Sequence, residues 1–158
     1  MRSSNQLNNI MDLRLIELSD LIDQYETMLS YALEAAEIGI WEWNVKEDRL
    51  KWDARMFEVY GVDKEEFTHD SAFLRLLVHP EDQAGLHEAI QNSTKTKNNF
   101  KYTFRARRDD NKLIIITTKG KPILDKNGDL IKMIGVCYRE SECPKFLDCK
   151  VKQELAKS

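Results

Sequence analysis

A long stretch of helical periodicity opens the chain. Residues 11–36 contain neither glycine nor proline, and apolar residues alternate at spacings of three and four, the pattern of a coiled-coil seam. Leu21 and Met28 widen the stripe beside this seam, which leaves open the alternative of a helix packed on its own domain. We favour a helix that forms a homodimer through the seam. Its residues are Leu15, Leu18, Ile22, Tyr25, Leu29, Ala32 and Ala36.

After the helical pattern, apolar and polar residues alternate with a period of two. Between residues 38 and 45, Trp41 and Trp43 fall on one parity and polar residues on the other, which predicts a strand with an inward aromatic face. A polar turn at residues 46–48 leads to a short strand at residues 49–52. The two strands are expected to form a hairpin.

Short helices are predicted next. Asp53 is the expected N-cap of a helix that ends at Gly61, and residues 71–78 predict another short helix. Pro80 is expected to open a longer helix, because the first helical position needs no backbone N–H. The apolar positions predict that this helix runs to about Asn92.

The last third of the chain alternates with a period of two. Residues 100–107 give the strongest strand pattern, and turns at residues 108–112 and 125–129 lead to two further strands. Three such strands in sequence predict an antiparallel meander. The fold class is therefore α+β, a five-stranded antiparallel sheet with short helices on one face, preceded by a long amphipathic helix.

Composition narrows the functional classes. Net charge is only −3, from 24 basic and 27 acidic residues spread along the chain, which gives no basis for nucleic-acid binding. No apolar run approaches the roughly 20 residues of a membrane-spanning helix, and a cytoplasmic location is expected. Cys137, Cys143 and Cys149 lack metal-site spacing, so reduced thiols are expected.

Helices that close over a sheet commonly enclose a small apolar pocket. Ordinary core packing explains the same apolar positions equally well. Arg105 and Arg107 are expected to face solvent, and Cys137 is expected to be a small packed side chain. The inward residues expected to line the pocket are Trp41, Trp43, Phe57, Tyr60, Leu76, Leu77, Leu86, His87, Ile90, Tyr102, Phe104, Ile116 and Val136.

Several motifs together resemble the PAS superfamily, in particular the branch whose first strand reads Gly-x-Trp-x-Trp. That strand motif stands at residues 39–43, and the family's His-Pro-Glu-Asp helix start at residues 79–82. The turn at residues 125–128 and the glycine at Gly135 match less strictly. The resemblance covers roughly residues 33–142. It implies a PAS domain there, a signalling helix at residues 1–32, and a linker or helical tail at residues 143–158.

The resemblance implies a sensory module that detects a small-molecule or redox cue and transmits it by rearranging the dimer helix. Such modules are typically the input part of a histidine kinase or a diguanylate cyclase, and the downstream effector would lie outside these residues. The family usually leaves its last strand through Asp-Ile-Thr, whereas this chain has Arg139, Glu140 and Ser141. Coupling to an effector by the usual polar contacts is therefore in question.

The resemblance also draws attention to His87. It follows Pro80 by the offset at which haem-binding PAS domains place their proximal histidine, and imidazole is a good axial ligand for iron. A histidine at the edge of a core is the alternative, and no cofactor at all is the default. A flavin photoreceptor is disfavoured, because residues 80–91 contain no cysteine for an adduct. His79 is expected to cap or turn the chain.

Two further functional classes stay open. One is a ligand-free dimerisation or docking module. This class would be excluded if the purified protein contained a bound small molecule. The other is a small enzyme, which is disfavoured because no nucleophile, base and orienting group can be assembled from the spacing of the residues.

Overall fold

The computed structural model describes residues 2–108, 110 and 112–140, with side chains from Asn5 onward. The chain divides into two units, one ending at Ala36 and the other starting at Glu37. The expected tail at residues 143–158, with Cys143 and Cys149, lies outside the described residues.

Helix α1 spans Arg2–Ala35 and forms the first unit. The absence of glycine and proline lets the helix continue through all 34 residues. Every residue of the inner seam, Leu15, Leu18, Ile22, Tyr25 and Leu29, is more than half exposed. Among the helices of the described residues, none has the length and apolarity needed to cross a lipid bilayer.

The second unit contains a five-stranded sheet in the order β2-β1-β5-β4-β3, with every neighbouring pair antiparallel. The predicted hairpin and meander are confirmed, and the first strand pairs with the last. The fold class is confirmed with them. The strands are β1 (Gly39–Asn44), β2 (Arg49–Trp52), β3 (Phe100–Arg107), β4 (Leu113–Leu124) and β5 (Leu130–Arg139).

Short capped helices connect β2 to β3. They are α2 (Ala54–Tyr60), a 3₁₀ turn (Lys64–Glu66), α3 (Ser71–Leu77) and α4 (Pro80–Thr96). The Asp53 carboxylate accepts the Met56 N–H and Gly61 ends α2 with a φ of 65°, as the sequence predicts. Helix α4 runs past the predicted end at Asn92, and the Thr96 hydroxyl donates to the Asn92 carbonyl. A polar sequence can continue a helix there because Lys95 and Thr96 are exposed, while buried Ser93 donates its hydroxyl to the Asn98 carbonyl.

One face of the sheet carries the core. Trp41 Nε1 donates to Thr118 Oγ1 at 3.1 Å, and Tyr60 Oη lies 3.9 Å from Cys137 Sγ, which places helix α2 against the face that bears Trp41 and Cys137. Met133 is fully buried on the same parity of β5. Among the described residues of the second unit, this inner face and helices α2, α3 and α4 form one hydrophobic core.

Candidate functional site

Aromatic rings fill the space between β2 and the short helices. The Trp52 ring stacks on Tyr60 with centroids 4.8 Å apart and on Phe67 at 5.0 Å. Phe57 and Phe73 meet the same indole edge-on, at 5.4 and 5.6 Å. Offset and edge-to-face pairs each contribute about 0.5–1.5 kcal/mol beyond their buried area, so Trp52 is the centre of a strongly packed cluster. We call these five residues the aromatic cluster.

Sequence reasoning missed the centre of this cluster. Trp52 lies on a four-residue strand whose short alternation gives little parity information, and Phe67 lies in a loop after the 3₁₀ turn. Trp52 could have been recognised from the hairpin, because it pairs directly with inward Trp41 and opposite residues share a face.

Ten of the predicted pocket residues do meet in the interior. Trp43, Leu77, Ile90 and Tyr102 are partly buried and pack against the core. The buried ones are Trp41, Phe57, Tyr60, Leu86, Phe104 and Ile116. These residues form one core, and the aromatic cluster occupies the side of it nearest β2.

The remaining three predicted pocket residues do not face the interior. Leu76 is 81 % exposed, because α3 packs through Phe73, Leu74 and Leu77, and Leu76 stands about 100° round the helix from Leu77. Val136 lies on the parity opposite buried Cys137, so it belongs to the outer face of the sheet. The predictions for these two residues are wrong.

His87 is also exposed, which corrects its predicted inward position. Helix α4 buries Asp82, Leu86 and Ser93, which share one side of the helix, and His87 stands about 100° further round. An exposed imidazole does not fit the role of an interior haem ligand. Among the described residues no cluster of histidine, cysteine and carboxylate side chains could hold a metal ion.

The interior also contains neutral polar groups. Burial raises the pKa of the Cys137 thiol to about 11 and raises the pKa of Tyr60 well above its ordinary value. Both groups therefore stay protonated at neutral pH. Cys137 is a small packed side chain, as the sequence predicts, and its thiol is a poor nucleophile.

Arg105 is the main surprise on β3. It was expected to face solvent, yet it is only 8 % exposed and binds Asp82 through three hydrogen bonds. Its Nε and backbone N–H donate to Asp82 Oδ2 at 2.9 and 2.8 Å, and Nη2 donates to Oδ1 at 2.7 Å. Because β3 is an edge strand, the first turn of α4 reaches this outward side chain. Arg107, by contrast, is exposed as predicted.

Electrostatics favour this ion pair. Burial opposes ionisation of Asp82, but the hydrogen bonds from Arg105 outweigh it and leave the pKa of Asp82 below its ordinary value. The Asp82 carboxylate in turn raises the pKa of Arg105. Glu81 adds a second partner at 3.0 Å from Nη2. Both charges are therefore retained at neutral pH.

The segment at residues 78–82 closes the edge of the sheet. Val78 forms a bridge with Ala106, and the His79 N–H donates to the Arg105 carbonyl at 2.8 Å. His79 Nδ1 also accepts the Glu81 N–H, which confirms the expected capping role. Since unpaired edges invite association with other strands, the His-Pro-Glu-Asp segment has a structural role here.

The exit from β5 has polar contacts of its own. Arg139 Nε and Nη2 each donate at 2.6 Å to backbone carbonyls in the last turn of α2, at Val59 and Glu58. Glu140 accepts a hydrogen bond from Thr117 Oγ1, and its N–H donates to the Ile115 carbonyl at 3.0 Å. The residues that replace Asp-Ile-Thr thus connect the strand end to α2 and β4, while Ser141 lies outside the described residues.

Two depressions open on the surface of the second unit. One of about 450 Å³ lies along α4, with Gly85, Glu88 and Tyr102 in its lining. The other, of about 570 Å³, lies on the sheet and includes Ile40 and Val136. Neither is lined by the aromatic cluster.

Comparison with known proteins gives consistent matches. A model of the PAS fold family matches residues 49–137. The probable diguanylate cyclase DgcE of Escherichia coli strain K12 is 28% identical over 131 residues, which cover 83% of this chain and 12% of that protein. The hybrid signal transduction histidine kinase I of Dictyostelium discoideum is 28% identical over 124 residues, covering 77% of this chain and 7% of the kinase. The chain thus spans about a tenth of the length of these relatives.

Solved structures share the fold. A sensory box histidine kinase/response regulator from Burkholderia thailandensis superposes with a TM-score of 0.61 at 18% identity, over 82% of this chain and 92% of that one. The N-terminal domain of a diguanylate cyclase with PAS/PAC sensor from Marinobacter aquaeolei gives a TM-score of 0.60 at 16% identity, over 65% and 94%.

Proposed function

The chain belongs to the PAS fold family, and on that premise we propose that it is the sensory input module of a signalling protein. The supporting observation is that residues 49–137, which match the family, include β2, β3, β4, most of β5 and the whole aromatic cluster. Two relatives that match more than three quarters of this chain are named as a probable diguanylate cyclase and a histidine kinase. The cue is a small molecule or a redox change, the location is cytoplasmic, and any catalytic effector is a separate domain.

Two packing details support the branch that begins with Gly-x-Trp-x-Trp. A Cβ at Gly39 would lie 2.7 Å from the sulfur of Met56, so this position requires glycine. Trp41 covers Gly135 on the neighbouring strand, where a Cβ would lie 2.4 Å from the indole ring. The motif thereby fits a large ring and helix α2 against the same short strand.

Helix α1 supports homodimerisation. Helices in proteins gain most of their stability from packing an apolar face, and in this helix every inner seam residue is more than half exposed. A second copy of the same helix would bury the seam in the manner of a coiled coil. We assign residues 1–32 to this signalling helix, residues 33–142 to the PAS domain and residues 143–158 to an outgoing linker.

The dimer can be tested by charge insertion. The double substitution Leu18→Glu and Ile22→Glu is expected to give monomers in light scattering, because two carboxylates per helix would be buried in the seam. The same number of charges placed on the opposite side of the helix, by Gln24→Glu and Tyr31→Glu, is the matched control and should leave the dimer intact. Dimers of the seam variant would contradict the assignment.

A ligand-free docking module is the second candidate, and one observation favours it. The aromatic cluster fills the part of the core that lies under the short helices. Native mass spectrometry of the full chain separates the two candidates. A dimer with a stoichiometric small molecule supports the sensory module, an unliganded dimer supports the docking module, and an unliganded monomer contradicts both.

A further inference from the structure

Part of the β3 edge stays unpaired and lies beside the depression on α4. Arg105 directs its backbone N–H and carbonyl away from β4, to Asp82 and His79. Because this direction repeats at every second residue of an antiparallel strand, Thr103 and Lys101 direct theirs to the same open side. Among the described residues, none bonds to these backbone groups. This stretch of β3 can therefore still pair with a further strand.

Helix α4 forms the other wall of this opening. Its first turn contacts Arg105 near the end of β3, and residues 97–99 join its last turn to the start of β3. Helix and strand therefore run in opposite directions. Exposed polar side chains of α4 line the depression between them, together with Tyr102. We call this depression the edge groove; its lining includes Gly85, Glu88, Asn92, Lys95 and Tyr102.

Tyr102 brings an unused polar group to the edge groove. A Cβ at Gly85 would lie 1.9 Å from the Tyr102 hydroxyl oxygen, so the phenol reaches the helix backbone only because this position is glycine. Glycine inside a helix is destabilising relative to alanine, so the position of the phenol has a cost. In the part of the chain that the structure describes, the hydroxyl has no hydrogen-bond partner. Burial and the nearby Asp82 and Glu88 carboxylates raise the pKa of Tyr102.

The charge changes sign along the groove. Glu88 lies one turn after Gly85, and Lys95 lies about 10 Å further along α4, toward the start of β3. Neither side chain forms an ion pair with another described residue. An extended segment that runs through the groove in the direction of α4 would thus meet an acidic side chain first and a basic one second.

We propose that the edge groove binds an extended segment of a partner protein as a further strand, antiparallel to β3. The residue opposite Tyr102 would point toward the helix, because opposite residues share a face. A lysine or arginine there would meet Glu88 and donate to the Tyr102 hydroxyl. The next residue on that face comes two positions later, about 7 Å on, where an aspartate or glutamate would meet Lys95. This contact depends neither on the seam dimer nor on a cue in the core.

A short peptide, acetyl-Thr-Val-Lys-Val-Asp-Thr-amide, tests the proposal, with its lysine designed to lie opposite Tyr102. Titrated into the full natural chain, it should bind saturably and shift the backbone amide signals of Lys101 and Thr103 in NMR spectra. The matched control has the lysine and the aspartate exchanged. In the antiparallel arrangement the control brings like charges together at both ends, and we expect a dissociation constant at least about tenfold weaker.

Methylation of single peptide nitrogens tests the backbone pairing separately from the charges. In the antiparallel arrangement, the two valines lie opposite Thr103 and Lys101 and direct their N–H groups at β3, whereas the lysine directs its N–H away. Methylation of either valine nitrogen should therefore weaken binding at least about tenfold, and methylation of the lysine nitrogen should leave it nearly unchanged.

Variants of the chain complete the test. Glu88→Lys should lose the original peptide and bind instead a peptide with glutamate in place of the lysine. Glu47→Lys changes an exposed glutamate outside the groove and should bind the original peptide as the natural chain does.

Each other outcome would overturn the proposal. Absence of saturable binding, or binding that valine methylation does not weaken, would exclude an added strand. Equal affinity of the original and the exchanged peptide would exclude the assigned charges and direction. A peptide that separates natural dimers into monomers would assign the edge groove to a second copy of the chain, and so would also refute a separate partner.

Discussion

Replacing Asp82 with asparagine tests the largest buried charge interaction in the domain. Asp82 accepts three hydrogen bonds from Arg105, whose side chain is 10% exposed. Removing one member of a buried ion pair costs about 3–5 kcal/mol. Glu81 remains within 3.0 Å of the same guanidinium, but it is 74% exposed and screened by water. We therefore expect a loss of about 2 kcal/mol of unfolding free energy for Asp82→Asn.

Urea denaturation followed by tryptophan fluorescence measures this loss. Because dimerisation makes apparent stability depend on concentration, the change is best made in the Leu18→Glu and Ile22→Glu background. Glu81→Gln is the matched control and should cost less than about 1 kcal/mol. Equal losses for Asp82→Asn and Glu81→Gln would refute the argument that burial strengthens the pair.

The same variant has a defined pH dependence. Since the pKa of Asp82 is lowered in the folded state, its ionised form contributes stability above the unfolded value near 3.8, and that contribution is lost as the pH falls through the folded value. The difference in stability between the natural chain and Asp82→Asn should be full at pH 7 and should shrink below about pH 4. A difference that grows on acidification would contradict this assignment.

Two further experiments examine the core. Trp52→Leu should cost about 2 kcal/mol in urea denaturation, because it removes four ring contacts. Trp43→Leu should cost about half as much, because both indoles are partly buried but Trp43 makes no ring contact with the described residues; equal costs would contradict the central position of Trp52. In a chain whose other two cysteines are replaced by serine, Cys137 should react with a thiol reagent at pH 8 about 100-fold more slowly than in urea, because its pKa is about 11; rapid labelling of the folded chain would refute this.

Periodicity was enough to predict the elements and their order. The alternation in residues 100–107 predicts β3, Gly61 predicts the end of α2, and Pro80 predicts the start of α4. Each of these patterns depends only on neighbouring residues, and the structure has all three features where the sequence predicts them. Strand β4 is an instructive exception. It continues through Pro122, although proline cannot donate a hydrogen bond to a neighbouring strand, because that stretch lies beyond Phe100 and pairs with β5 alone.

The direction of individual side chains was harder to predict. Val136 and Cys137 are both small and apolar, so neither identifies the inner parity, and only the contact of Cys137 with Tyr60 does so. His87 follows Leu86 in a helix whose buried side is set by the sheet beneath it. The burial of Arg105 could not be predicted without the strand order, because only an edge strand brings an outward arginine within reach of Asp82. Each error came from tertiary pairing that one sequence does not encode locally.

The filled interior bears on how the module could respond to a cue. A small molecule that entered beside Trp52 would have to displace at least one ring, and four aromatic contacts together represent about 2–6 kcal/mol. Micromolar affinity corresponds to a binding free energy of about 8 kcal/mol. Because the cost of breaking ring contacts is subtracted from the binding free energy, such a ligand must replace most of the contacts that it breaks. An aromatic ligand meets this requirement better than a polar one. If native mass spectrometry finds a polar molecule bound, we expect its site to lie outside the aromatic cluster.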